Sequence, residues 1–241
     1  MKAFGTLFKG ELVRLARYNI ISASLFVAAF WIAVLHFSEI PNLTGIFVLV
    51  LLIDTTVMAM LLVGVTMFFE KDEGAIRSLL VSPITKTEYV LAKSSGNLLS
   101  NVQTLVILYA YARFFREIDV ALLPLLPAIL LIGAFHCLMG FLVAYRSRDF
   151  TDLLTGIVKY TLVVMLPVAL ESVGLIQNQI LESLMYLLPT KAAIILIGAS
   201  AGEGAPWEIG YSAVYLAVGT AVLARSVLAG FDAFAARESG V

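Results

Sequence analysis

The chain consists mainly of long apolar runs separated by short polar stretches. A helix that crosses a bilayer core about 30 Å thick needs roughly 17–25 predominantly apolar residues. Six runs have that length: 20–37, 46–69, 89–112, 121–145, 151–170 and 209–229. They predict six transmembrane helices and therefore an all-α polytopic membrane protein, with residues 1–241 forming a single transmembrane domain.

The first residues carry a different pattern. Residues 1–19 place apolar side chains on one side of a helix and basic side chains on the other. Such a pattern is typical of an amphipathic helix that lies in the membrane interface. Glu11 falls near the apolar side of this helix, so we expect it to pair with Arg14 or with a neighbouring helix.

A second short element is predicted near the end of the chain. Residues 175–199 are apolar, but Pro189 interrupts them, and neither half is long enough to cross a bilayer. They predict two short helices on the outer side, which form a broken-helix hairpin within residues 171–208.

The distribution of basic residues predicts the orientation. Lys and Arg are enriched in the loops on the cytoplasmic side of membrane proteins. Twelve of them lie on the side that carries the N-terminus: Lys2, Lys9, Arg14, Arg17, Lys71, Arg77, Lys86, Lys93, Arg146, Arg148, Arg225 and Arg237. Three lie on the opposite side: Arg113, Arg116 and Lys191. Both termini and the loop between the second and third spans are therefore expected in the cytoplasm.

That inner loop is charged, yet it contains an apolar helical pattern. Ile76, Leu79 and Leu80 recur at positions i, i+3 and i+4, so a short helix would carry one apolar edge. Asp72 is the expected N-cap, and Pro83 is expected to end the helix because proline lacks the amide hydrogen.

The start of the third span carries its own signal. Thr85 and Glu88 have the T-x-x-E spacing of a capping box, in which each side chain bonds the backbone amide of the other residue. A helix is therefore expected to begin directly after Thr85.

The inner loop resembles the signature of the permease subunits of ABC-2 type exporters, including drug-export members. The matching pattern is E-x-x-x-G-x-h-x-x-L-L-h-x-P, where h is apolar; its positions here are Glu70, Gly74, Ile76, Leu79, Leu80, Val81 and Pro83. The resemblance implies that residues 70–83 form a coupling helix that docks onto an ATP-binding cassette subunit. The implied docking residues are Glu70, Asp72, Glu73, Gly74, Ile76, Arg77, Leu79, Leu80 and Pro83.

The same resemblance implies an assembly. Two permease chains, identical or different, would form a dimer, and each would bind one ATP-binding cassette subunit. ATP and Mg²⁺ would then be bound by that partner, with no cofactor in this chain. The expected function is outward movement of a substrate across a prokaryotic cell (inner) membrane, with lipids and no nucleic acid among the partners.

Asp54 is the acidic residue deepest within a predicted span. It lies 15 positions before Phe69, which corresponds to about 22 Å along a helix. A charged aspartate at mid-helix costs about 2.5–3.5 kcal/mol on insertion scales, so it is expected to face a partner or water. Asp54 and Thr55 are therefore candidates for a transport pathway or a dimer seam.

Composition agrees with a polytopic membrane protein and not with a soluble domain. The chain is 61% hydrophobic and 14% charged, against about 45–50% and about 25% in soluble domains. No G-x-x-x-x-G-K-[ST] motif is present, so we expect this chain neither to hydrolyse ATP nor to be an enzyme. The single cysteine and two distant histidines predict no metal site. The alternative is an ion-gradient-driven transporter or channel, in which several buried carboxylates would be expected.

Overall fold

The computed structural model describes residues 4–38, 43–76 and 82–239, with side chains described as far as residue 236. In this part of the chain all regular secondary structure is helical. The helices are α1 (Phe4–Arg17), α2 (Ile20–Phe37), α3 (Leu43–Asp72), α4 (Lys86–Phe115), α5 (Leu122–Arg146), α6 (Phe150–Ser172), α7 (Gln179–Met185), α8 (Pro189–Ala199) and α9 (Pro206–Ser239).

Six of these helices are long and apolar enough to cross a membrane, namely α2, α3, α4, α5, α6 and α9. The prediction of six spans is confirmed, and α2 covers the same residues as the first predicted run. The other helices extend beyond their apolar runs, because polar residues continue the helix at its ends. Thr85 and Glu88 form the predicted capping box at the start of α4.

The predicted pair of short helices is also confirmed. Helices α7 and α8 meet at an angle of 90°. Asn178 caps α7, since its side chain accepts hydrogen bonds from the amides of Ile180 and Leu181. Pro189 begins α8, where its missing amide hydrogen costs no helical hydrogen bond.

Helix α5 lies at the centre of the bundle. It packs along α9 on one side and α3 on the other. The approach to α3 is close, because a Cβ atom on Gly140 would lie 2.8 Å from the Cα atom of Met60. Apolar side chains form one core near α8 and a second core near the C-terminal part of α3 and the described end of α9.

Two spans contain a π-helical turn. Asp54–Met58 interrupts α3, and Thr161–Met165 interrupts α6. The two turns lie side by side, since the Thr56 hydroxyl of the first turn lies 3.4 Å from the Met165 sulfur of the second. The same hydroxyl donates a hydrogen bond to the Leu52 carbonyl of its own helix at 2.6 Å. Such turns shift the register of a helix and are frequent at functional sites.

One expectation for the loop between the second and third spans is wrong. Asp72 lies in the last turn of α3 and does not cap a following helix. Gly74 has φ = 68°, and a Cβ atom placed on it would meet no atom within 4 Å. Glycine is therefore favoured here by the left-handed backbone that ends α3, as in many helix C-termini.

Candidate functional site

The candidate site lies where α1 meets the C-terminal end of α3 and the N-terminal end of α4. Residues 70–76 and 82–83 of the predicted coupling segment are described, and Pro83 lies in a bend before α4. Arg77, Leu79 and Leu80 lie outside the described residues, so their predicted docking role stays a prediction.

Four charged side chains form a network at this junction. The Lys93 ammonium of α4 lies 3.0 Å from carboxylate oxygens of both Glu11 and Glu70. The Arg14 guanidinium lies 2.8 Å from Glu11 and 2.7 Å from Glu70. The Tyr89 hydroxyl donates a further hydrogen bond of 2.6 Å to Glu70. Two cations therefore balance two anions.

Three of these charges are almost fully removed from solvent. The side chains of Glu11, Glu70 and Lys93 expose only 2%, 1% and 1% of their surface. Burial lowers the pKa of the Arg14 guanidinium, but Glu70 and Glu11 outweigh it and raise the pKa above its ordinary value. Because each buried charge has an opposite charge in contact, the network avoids the high cost of an isolated ion.

Helix α1 is held against α4 by this network and by close packing. A Cβ atom on Gly96 would lie 2.9 Å from the Glu11 side chain, so only glycine lets α1 approach so closely. The prediction that Glu11 pairs with Arg14 or a neighbouring helix is confirmed on both counts.

A second contact joins the N-terminal region to the same segment. The Tyr18 hydroxyl, in the turn between α1 and α2, donates a hydrogen bond of 2.8 Å to Glu73. Burial and this hydrogen bond raise the pKa of Tyr18 to about 12, so Tyr18 remains a donor at neutral pH. Glu70 and Glu73 are thus both bound by the N-terminal part of the chain.

The structure changes the interpretation of two predicted docking residues. Ile76 is buried in the second core, contrary to the exposed apolar edge expected for it. Glu70 faces the ion network and not solvent. Asp72 and Glu73 are exposed, as a rim of a docking surface requires.

Sequence reasoning missed the roles of Lys93 and Tyr89. The sequence places Lys93 among the basic residues that predict the orientation, and it places Tyr89 at the start of the predicted span 89–112. The available signal was position, because Lys93 lies two turns inside the helix that begins at Lys86. A lysine at that depth is expected to have a buried partner.

Asp54 lies in a separate polar cluster, in the π-helical turn of α3. It is 3% exposed, and its carboxylate accepts a 3.0 Å hydrogen bond from the indole nitrogen of Trp31. The expectation that Asp54 faces a partner is confirmed. Thr55 is buried beside it, with its methyl group directed toward Gly133 of α5.

The described residues contain no group of three or more side chains that could hold a metal ion. His136 is fully buried, and its two ring nitrogens lie 2.8 Å from the Ile132 carbonyl and 3.0 Å from the Tyr160 hydroxyl. Its ring is therefore held within the helix bundle by α5 and α6.

Six candidate spans and a broken helix pair indicate an integral membrane protein. The chain belongs to the fluoroquinolones export permease protein family, whose sequence model matches residues 3–239. It is thus a membrane permease of an export family.

Two relatives from Mycobacterium tuberculosis support this assignment. Both are named fluoroquinolones export permease protein, one from strain CDC 1551 / Oshkosh and one from strain ATCC 25618 / H37Rv. Each is 30% identical to this chain over 233 residues, which cover 96% of this chain and 95% of the relative.

Proposed function

We propose that this chain is the membrane subunit of an ABC-2 type exporter, which moves a substrate outward using ATP hydrolysed by a separate subunit. The permease is a dimer of two copies of this chain, or of this chain and a similar one. Each chain of the dimer binds one ATP-binding cassette subunit. The names of the relatives make fluoroquinolones the first compounds to test.

The main structural support is the ion network at the inner junction. Glu70 begins the signature segment, and it is bound at once by Arg14 of α1 and by Lys93 of α4. A force applied to the segment is therefore transmitted to three helices together. Such an arrangement suits a lever that is moved by a partner subunit, whereas a passive hairpin needs no buried ion pairs.

The direct test is purification of the complex from its native membrane. We expect an ATP-binding cassette protein to co-purify in equal number with the permease chains. Reconstituted vesicles should transport the compound only with ATP and Mg²⁺, and an inactive ATPase variant should abolish transport. Transport driven by an ion gradient without nucleotide would refute the proposal.

The proposed orientation places both termini and the signature segment in the cytoplasm. A cysteine replacing Glu203, exposed between α8 and α9, should react with a membrane-impermeant maleimide added to intact cells. A cysteine replacing Arg148, exposed between α5 and α6, should react only after the cells are opened. The native Cys137 is fully buried and gives a low background.

The opposite labelling pattern would contradict this orientation. It would place the signature segment outside the cell, where no ATPase subunit could bind it. The proposal of cytoplasmic coupling would then be wrong, although the fold would be unaffected.

A further inference from the structure

A cavity of about 240 Å³ lies between α2, α3 and α4, apart from the ion network. Its lining on α3 runs from Asp54 to Phe69, and most of its surface is apolar. The apolar lining includes Val27, Met58, Leu61, Leu62 and Val65. The cavity therefore offers an apolar chamber with a carboxylate at one end.

Two of the hydroxyl groups around the cavity donate to backbone carbonyls of their own helices. Ser24 donates to the Ile20 carbonyl, and Ser100 donates to the Gly96 carbonyl. These bonds use the hydroxyl hydrogens and leave little for a ligand. Asp54 is the one charged residue among the described residues of the lining, and it has bonding capacity to spare.

Asp54 has an incomplete set of partners. A carboxylate has about four acceptor sites, and Trp31 fills one of them with a neutral N–H donor. No Lys, Arg or His of the described chain forms an ion pair with Asp54. A cationic ligand would supply the missing charge, because buried carboxylates are normally paired with a cation.

Asn101 is a second polar residue on the cavity wall. Its side chain lines the cavity and is only 4% exposed, yet its amide nitrogen has no hydrogen-bond partner. The neighbouring Asn97 differs, because its amide nitrogen donates to the Ala59 carbonyl at 2.7 Å. That nitrogen faces Gly133 of α5, since a Cβ atom built on Gly133 would lie 2.8 Å from it, so it is directed toward α5 and carries no part of the inference.

We infer that this cavity binds a small lipophilic cation, namely a protonated amine carried on about one aromatic ring. The ammonium would contact Asp54, and the ring would lie against the apolar side chains of α2 and α3. The size agrees, since a protein cavity of about 150 Å³ holds benzene, whereas drug-sized ligands need about 300 Å³ or more. The inference rests on the proposed export function and names the substrate class of that permease.

The test uses the purified full-length chain in detergent, with Trp207→Phe as background. Because the chain has two tryptophans, Trp31 then becomes the only one and reports on the cavity through its contact with Asp54. The probes are 4-nitrobenzylamine and 4-nitrobenzyl alcohol, which have the same ring but differ in charge. Nitroaromatic rings quench indole fluorescence, so saturable quenching measures binding.

Asp54→Asn removes the charge and keeps an oxygen that can accept from Trp31. We expect it to weaken binding of the amine about tenfold or more and to change binding of the alcohol less than about twofold. Asp119→Asn is the matched control, since Asp119 is exposed between α4 and α5, and it should change neither affinity.

A second variant tests the location independently of the charge. Ala23 lines the cavity from the exposed side of α2, so Ala23→Phe should fill the space without repacking the core. We expect it to weaken binding of both probes. Unchanged binding in Ala23→Phe, equal effects of Asp54→Asn on both probes, or no saturable quenching in the wild-type cavity would overturn the inference.

This experiment separates the cavity from the proposed export mechanism. Binding is measured without ATP or a partner subunit, so a different energy source would leave the result unchanged. Conversely, absence of saturable amine binding to the wild-type chain together with normal ATP-dependent export would refute the cavity inference alone.

Discussion

Leu79→Asp and Leu80→Asp are each expected to abolish transport, while the chain still inserts and still dimerises. Ile76 is buried within the chain, so Leu79 and Leu80 remain as the apolar residues proposed to contact the ATPase. A leucine buried in a protein cleft contributes about 1.5–3 kcal/mol, and an aspartate in the same cleft adds the cost of burying a charge. The ATPase subunit should therefore bind weakly or lose its coupling.

Co-purification of the ATPase and substrate-stimulated ATP turnover measure this effect. Thr87→Asp is the matched control, since Thr87 is exposed in the first turn of α4 and lies near the same segment. An acidic residue there is favourable near the helix N-terminus, so the control should transport normally. Full transport with a normally bound ATPase in both leucine variants would show that the segment is only a connecting loop.

Lys93→Met is expected to lower the thermal stability of the chain strongly. The substitution keeps most of the side-chain volume but leaves the buried carboxylates of Glu11 and Glu70 with Arg14 as their remaining cation. Breaking a buried ion pair by removing one partner costs about 3–5 kcal/mol. For a chain of this length, that loss corresponds to a fall in Tm of about 10 °C.

The unfolding can be followed through the single cysteine. Cys137 is fully buried in the native chain, so a thiol-reactive fluorescent dye reacts with it only as the bundle opens. Lys86→Met is the control, because Lys86 pairs with the exposed Asp232 at 2.7 Å, and exposed pairs contribute about 0–1 kcal/mol. A similar Tm for both variants would contradict the structural role of the network.

The charge balance predicts a partial rescue. Glu70→Gln added to Lys93→Met removes one of the two buried anions, and Gln can still accept the hydrogen bond from Tyr89. The double variant should therefore unfold at a higher temperature than Lys93→Met alone. Equal or lower stability would show that Lys93 acts by packing and not by its charge.

Much of the fold could be predicted from local patterns. A bilayer requires long apolar helices, so hydrophobicity alone located all six candidate spans. Capping signals and prolines act on neighbouring backbone groups, and they correctly placed the start of α4 and the break before α8. Asp54 was identified because a carboxylate deep in an apolar run needs a partner wherever the helices pack.

The assignments that failed depend on contacts between distant residues. Glu70 and Ile76 look like exposed loop residues because charged and apolar positions alternate there. In the structure, α1 covers Glu70 and the second apolar core encloses Ile76. Local sequence contains no information on which helix lies over a given surface.

The sequence by itself therefore determined the membrane class, the number of spans and the segment that carries the family resemblance, because the bilayer and the helix ends impose these locally. The tertiary structure alone decided that Lys93 joins Glu11 to Glu70 and that Asp54 and Asn101 line one cavity. Glu11 and Lys93 lie 82 positions apart, and Trp31 and Asp54 lie 23 apart. Such partners meet only when the helices pack, because a buried charge needs an opposite charge and a buried polar group needs a hydrogen-bond partner.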